Sequence, residues 1–347
     1  MGVYVLGMHR SGTSAVTRVV NLCGVPIGRE ERLMPVQVDN PAGFWEHLGL
    51  MDVDDAVLER LGGTWDAPPE PAPDFADRAE LADLRDRARA EFDATYEGDR
   101  WVFKDPRAGV VLPFWRRVLD GTNDVAVIVL RNPLDIAASL AQRNQFAVRY
   151  TLALWERYTR LIHRDATGMP ALVIDYDTLV DDPAVTGRLQ EFLIAHDQIA
   201  GTPDRDAIRL FLATSLRHSR QERGAFEHDA RVTGEQRALF AATGQLLGAH
   251  DRFAPGPVPA ESPTTEPLIA SRREPSTPER AALDTVTRAL GETECRLDAC
   301  EASTATTRTT HDAVDDALGY TDIGRLERVA LGAARRVRRI QQRLTRR

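Results

Sequence analysis

Val3-Tyr4-Val5-Leu6-Gly7-Met8-His9-Arg10-Ser11-Gly12-Thr13-Ser14 is a short β-type run, a loop bounded by two glycines, and the opening of a helix. Residues 3–6 alternate β-branched and aromatic types and meet Gly7, which predicts a buried strand ending in a turn. Downstream, Ala15, Val16, Val19, Val20 and Leu22 recur at helical spacing, and Gly24 and Pro26 supply a stop. Strand, loop and helix in this order open an α/β domain. The loop Gly7 to Ser14 has the spacing of a phosphate cradle. Its backbone N–H groups and the positive end of the following helix suit an anion.

Further along the chain the same alternation continues. Trp101-Val102-Phe103 is a short strand before Lys104. Val125 to Leu130 is an uninterrupted apolar run, as in a central parallel strand buried on both faces. Ala171 to Ile174 is another strand. Helices are predicted over 48–62, 75–96, 133–143 (with Pro133 in the first turn), 147–166, 183–196 and 204–216. Residues 35–47 read as a loop with a turn at Asn40-Pro41-Ala42-Gly43. The expected fold is α/β: a P-loop-like, doubly wound parallel sheet flanked by helices, with ligands at the carboxyl ends of its strands. Residues 1–253 form the expected catalytic domain. A flexible Pro-rich linker follows over 254–280, and then a helical extension over 281–347. On this reading everything beyond 255 is dispensable for ligand binding.

The loop departs from the one used by nucleotide triphosphatases. Thr13 stands where those enzymes carry Lys, and the run 125–130 ends in Leu130-Arg131 with no Asp for magnesium. The anion cradle is present, but the parts that act on a metal-bound triphosphate are not. A second element lies at Arg131-Asn132-Pro133 through Ser139. It sets a guanidinium fork at a strand end and a hydroxyl about two helical turns later, a pairing suited to a phosphate monoester.

Together these two elements resemble the sulfotransferase family. The resemblance covers roughly residues 2–250. It implies that Arg10, Ser11, Gly12, Thr13 and Ser14 bind the 5′-phosphosulfate of 3′-phosphoadenosine 5′-phosphosulfate, and that Arg131 and Ser139 bind its 3′-phosphate. Tyr176-Asp177-Thr178-Leu179 with Asp182-Pro183 is also similar to a stretch common in that family. Asp39 to Glu46 and Phe103-Lys104-Asp105-Pro106-Arg107 resemble elements of its bacterial members. The chain departs from the cytosolic members in two places. Pro106 occupies the place of their catalytic His, and Ser14-Ala15 stands where they stack adenine on a Trp.

Sulfuryl transfer leaves charge on the bridging oxygen of the departing nucleotide, so positioning and electrostatics carry most of the catalysis. Arg10 is the expected stabiliser of that oxygen and Lys104 the second. Glu46 is the first choice for the base that takes the acceptor's proton, and His47 the second. No metal is expected. Two rival readings remain: a P-loop kinase or triphosphatase with a degenerate loop, and a non-catalytic nucleotide-binding scaffold.

Lys104 is the only lysine among 347 residues; every other basic side chain is Arg or His. The net charge of -8 conceals a tail, 325–347, of nine Arg and one Glu at +8, leaving -16 for the rest. An acidic body argues against a nucleic-acid enzyme. The expected partner is a small-molecule or glycan acceptor. Leu326, Ala330, Ala333, Val337, Ile340 and Leu344 form a seam in the basic tail that suits a partner helix or an anionic membrane surface. With three dispersed cysteines and no secretory signal, the expected location is the cytoplasm, with peripheral membrane contact through the tail.

Overall fold

A computed structural model describes residues 1–35, 43–120, 123–199, 203–215 and 223–273. Most of the turn expected at 40–43, and the whole extension from 274 onward with its basic helix, lie outside the described residues.

The sheet contains β1 (Gly2–Leu6), β2 (Trp101–Phe103), β3 (Val125–Leu130), β4 (Ala171–Asp175) and β5 (Gly248–His250), in the order β2-β1-β3-β4-β5. The first four strands run parallel, while β5 pairs antiparallel with β4, Gly248 opposite Val173. The fold class is α/β as expected, with one antiparallel edge. Gly-Ala-His is too short to show a strand period, so this edge left no mark in the sequence.

The helices are α1 (Thr13–Leu22), α2 (Leu48–Arg60), α3 (Ala82–Thr95), α4 (Ala108–Leu119), α5 (Pro133–Asn144), α6 (Val148–Asp165), α7 (Tyr176–Asp181), α8 (Pro183–Ala195), α9 (Arg205–Ser215), α10 (Arg223–His228), α11 (Gly234–Gly244) and α12 (Thr265–Ala270). Period-2 alternation splits the strands between two cores. Val3, Val5, Val127 and Ile174 face one layer, which includes α1, α8 and α9. Tyr4, Leu6, Ile128 and Val173 face the other, where α4, α5 and α6 pack. Both faces of the sheet are therefore covered, which is why its strands read as continuous apolar runs. None of the helices among the described residues is long and apolar enough to cross a membrane.

Two expectations change. The helix expected from residue 75 begins at Ala82, after two single 3-10 turns. More consequential is the stretch 254–273, expected as the start of a flexible linker, which lies against α6 as a strap. Ile269 and Thr265 are fully buried there. The reason is electrostatic. Glu156 and Arg157 on α6 are buried charges, and the strap supplies partners for both. Glu156 accepts from the Ser262 N–H at 2.7 Å and from Thr265 Oγ1 at 2.6 Å. Arg157 donates to Glu261 at 3.0 Å and Glu266 at 2.6 Å. Buried charges must be paired, so these residues belong to the body.

Candidate active site

β1 has β2 on one side and β3 on the other, so successive connections leave it in opposite directions. The crevice at the carboxyl ends of β1 and β3 is the switch point of this sheet. Four segments converge there: the loop after β1, Lys104 after β2, Arg131 after β3 and Tyr176 after β4.

The loop turns through two left-handed residues, Arg10 at φ 67° and Gly12 at φ 89°. Gly12 is obligatory for a second reason, because a Cβ there would lie 2.1 Å from the Tyr176 ring. No side chain caps the start of α1, which leaves its first N–H groups aimed at the crevice. Arg10 Nε donates to Ser139 Oγ at 2.7 Å, and Arg131 Nη1 donates to the Arg10 carbonyl at 2.8 Å. The Arg131 guanidinium lies 4.9 Å above the Tyr176 ring centre. Arg10, Arg131 and Ser139, drawn from two separate stretches of sequence, meet at one point. Two buried donors point to an acceptor there: Arg131 Nε and Asn132 Nδ2 have no hydrogen-bond partner among the described residues. A phosphate or sulfate oxygen has the chemistry to satisfy them.

No protein-family model and no curated protein sequence matches the chain. Among solved structures it is similar to a sulfotransferase domain from the curacin biosynthetic pathway, at 13% identity and TM-score 0.35 over 79% of this chain and 98% of that one. It is also similar to a sulfotransferase domain from the olefin synthase of Synechococcus PCC 7002, at 16% identity and TM-score 0.31 over 80% and 96%. The chemistry argued below rests on this chain's own residues.

Lys104 is 3% exposed and uses all three of its donors. It bonds Ser14 Oγ at 3.1 Å, the Phe44 carbonyl at 3.0 Å, and the carboxylate of Glu46 as a close ion pair. A compact ammonium reaches three acceptors converging from α1 and the 43–46 segment, which a planar guanidinium cannot do at this spacing. The one lysine thus ties that segment to the start of α1. Burial raises the Glu46 pKa and the Lys104 charge opposes the rise; the net direction is upward.

His47 goes elsewhere. Its backbone is extended, so its ring projects away from the Glu46 side chain and packs 5.3 Å from Tyr96. Burial, helped by the Arg32 charge, pushes its pKa down to about 4. The structure does not bring it to the Lys104–Glu46 pair. Arg107 is taken up by Asp55 at 2.6 Å and Asp105 at 3.1 Å. His9 packs against Trp65, 4.6 Å between ring centres. Burial, with the charges of Arg107, Arg143, Lys104 and Arg10, holds its pKa well below the usual imidazole range, so the ring is neutral.

Three residues of this site are not candidates on sequence alone. Asn132 caps α5 through Leu134 N at 3.0 Å, and Asn before a first-turn Pro is a legible cap signal. Tyr176 stood inside a stretch already singled out, yet nothing local shows that its ring abuts Gly12. Trp65 had no local signal, because its partner His9 is 56 residues away.

Proposed function

We propose that this chain transfers a sulfuryl group from 3′-phosphoadenosine 5′-phosphosulfate to an acceptor hydroxyl or amine, with no divalent metal. The observation that carries the reading is the meeting of Arg10, Arg131 and Ser139 at the mouth of an anion loop that lacks the triphosphatase lysine.

In this reading the N–H groups at the start of α1 hold the 5′-phosphosulfate, and Arg131 with Ser139 holds the 3′-phosphate. Arg10, beside both, stabilises the charge that collects on the bridging oxygen as the S–O bond breaks. Glu46 takes the acceptor's proton. Burial favours its protonated form, and Lys104 keeps the carboxylate in place before the transfer.

Calorimetry tests the donor site. Adenosine 3′,5′-bisphosphate should bind more tightly than ATP or AMP. Arg131→Ala should weaken that binding by about 1.5–3 kcal/mol, the value of a hydrogen bond to a charged group. Turnover should persist in excess chelator. An unchanged affinity in folded Arg131→Ala would remove the assignment, and loss of turnover in chelator with rescue by magnesium would favour the kinase reading.

A further inference from the structure

His9 stands between the anion loop and a wall of aromatic rings. Its ring packs 4.6 Å from the Trp65 ring and, edge on, 5.9 Å from that of Tyr158. Both neighbours are anchored. Tyr158 is fully buried on α6 and donates to the Trp65 carbonyl at 2.7 Å. The Trp65 ring stacks on Phe146 with 5.9 Å between centres, and the Arg143 guanidinium covers it at 5.7 Å. The strap completes the brace: Arg272 pairs with Asp66 at 3.3 Å, and Arg273 donates to the Ala67 carbonyl at 3.3 Å. Trp65 is therefore spent on packing, and what it holds in place is an imidazole.

That imidazole has an unused atom. His9 is 7% exposed, and its Nε2 is buried with no hydrogen-bond partner among the described residues. A buried polar atom left alone is costly and uncommon. A phenyl ring would pack against Trp65 as well without that cost. Burial and the charges of Arg107, Arg143, Lys104 and Arg10 keep the ring neutral, and a neutral imidazole can donate one hydrogen bond from Nε2. The place of the ring says to what. Tyr176, which carries Arg131 on its face, belongs to the layer of α1 and α8. Trp65 and Tyr158 belong to the opposite layer, with α4, α5 and α6. The loop thus has the bisphosphate clamp on one flank and His9 on the other. Lys104, whose charge reaches His9, holds Glu46, the base for the acceptor. The group that passes between bisphosphate and acceptor is the sulfuryl group itself.

We propose that His9 donates a hydrogen bond from Nε2 to an oxygen of the sulfuryl group being transferred. The proposal rests on the sulfuryl-transfer reading above and adds a contact that only the loaded donor makes, since the bisphosphate has no sulfonyl oxygen. The acceptor oxygen forms the new O–S bond and gives its proton to Glu46. The bond from sulfur to the bridging oxygen breaks, and the bisphosphate leaves with that electron pair. His9 keeps its proton throughout and acts as an electrophile. The aromatic brace matters here, because a donor already aimed needs no reorganisation as charge moves.

Calorimetry on the full chain, with the intact donor and with adenosine 3′,5′-bisphosphate, tests this. His9→Phe keeps a ring against Trp65 and removes the N–H. It should weaken donor binding about 10- to 100-fold, the value of a hydrogen bond to a charged group, and leave bisphosphate binding unchanged. His9→Gln and His9→Met have nearly the same length, and only Gln can donate. The Gln variant should bind the donor more tightly than the Met variant and release labelled sulfate from sulfur-labelled donor faster. This pair carries the test if His9→Phe does not fold. A histidine that serves packing alone gives another order, with His9→Phe like the parent and Gln no better than Met. That order, or a loss equal for donor and bisphosphate, overturns the inference and leaves the donor reading intact. Failure of the parent chain to bind the bisphosphate overturns the donor reading beneath it.

Discussion

Glu46 and Lys104 show what one buried charge asks of another. Glu46→Gln keeps the shape of the side chain and removes its basicity, so kcat should fall about 10²- to 10⁴-fold with bisphosphate affinity almost unchanged. The same substitution leaves the Lys104 ammonium with a neutral partner in a buried place. Stability should fall by up to about 3–5 kcal/mol, measurable by denaturant unfolding. Pairing it with Lys104→Met should recover part of that loss, because the stranded charge is removed as well. A Glu46→Gln enzyme with parental kcat would reduce Glu46 to a brace. Two buried histidines contribute to the response to acid. His47 and His163 are each 2% exposed, and burial pushes both down to about 4. Their ordinary value is about 6.5. Between these limits the unfolded chain takes up protons that the two folded-state histidines refuse, so their contribution to stability is full above about pH 6.5 and falls as the pH drops toward 4. The loss is of the order of 3 kcal/mol per histidine. Denaturant midpoints measured from pH 7.5 to 4.5 should show the slope, and His163→Gln should flatten it.

At the scale of elements, the loop after β1 depends on a neighbour distant in sequence. Gly12→Ala places a methyl group in the Tyr176 ring and forces a left-handed backbone on alanine, which alone costs about 1–2 kcal/mol. Bisphosphate binding should fall at least tenfold; unchanged affinity would show that the ring yields. This dependence also marks how far the sequence could be read. Strand β1, the loop, α1, β3 and α5 carry their signals locally, in period, glycine placement and a first-turn proline. The strand-end rule points Arg131 into the crevice, while the expectation that Arg10, Arg131 and Ser139 serve one ligand rests on the family resemblance of their two elements. Helix α4 carries no clear local signal, because Gly109 and Pro113 interrupt its pattern. The Lys104–Glu46 pair spans 58 residues, and no local rule joins them. The solitary lysine and the family resemblance of the stretches around Glu46 and Lys104 point to each position, but not to their pairing. Adjacency in sequence makes His47 the second choice after Glu46, but the two-residue period of an extended chain sends its ring the other way.

At the scale of the molecule, the strap fixes where the folded body ends. A chain cut at residue 253 loses the partners of Glu156 and Arg157 and the hydrogen bonds of Arg273. It should be insoluble or unfolded, since breaking a buried pair costs about 3–5 kcal/mol. A chain cut after 273 keeps them all and should fold and bind the bisphosphate. Expression of the two lengths with circular dichroism decides, and a stable, binding chain ending at 253 would show that the strap is decoration. A last consequence follows from Lys104 being both solitary and 3% exposed. A lysine-specific protease has one place to cut in this polypeptide, and the folded state hides it between a strand and a helix. Digestion should therefore proceed only through opening of the core, yielding two fragments of 104 and 243 residues. The wild-type chain carries its own single-site clock for unfolding, readable on a gel without a label. Bisphosphate should slow that clock in proportion to its binding.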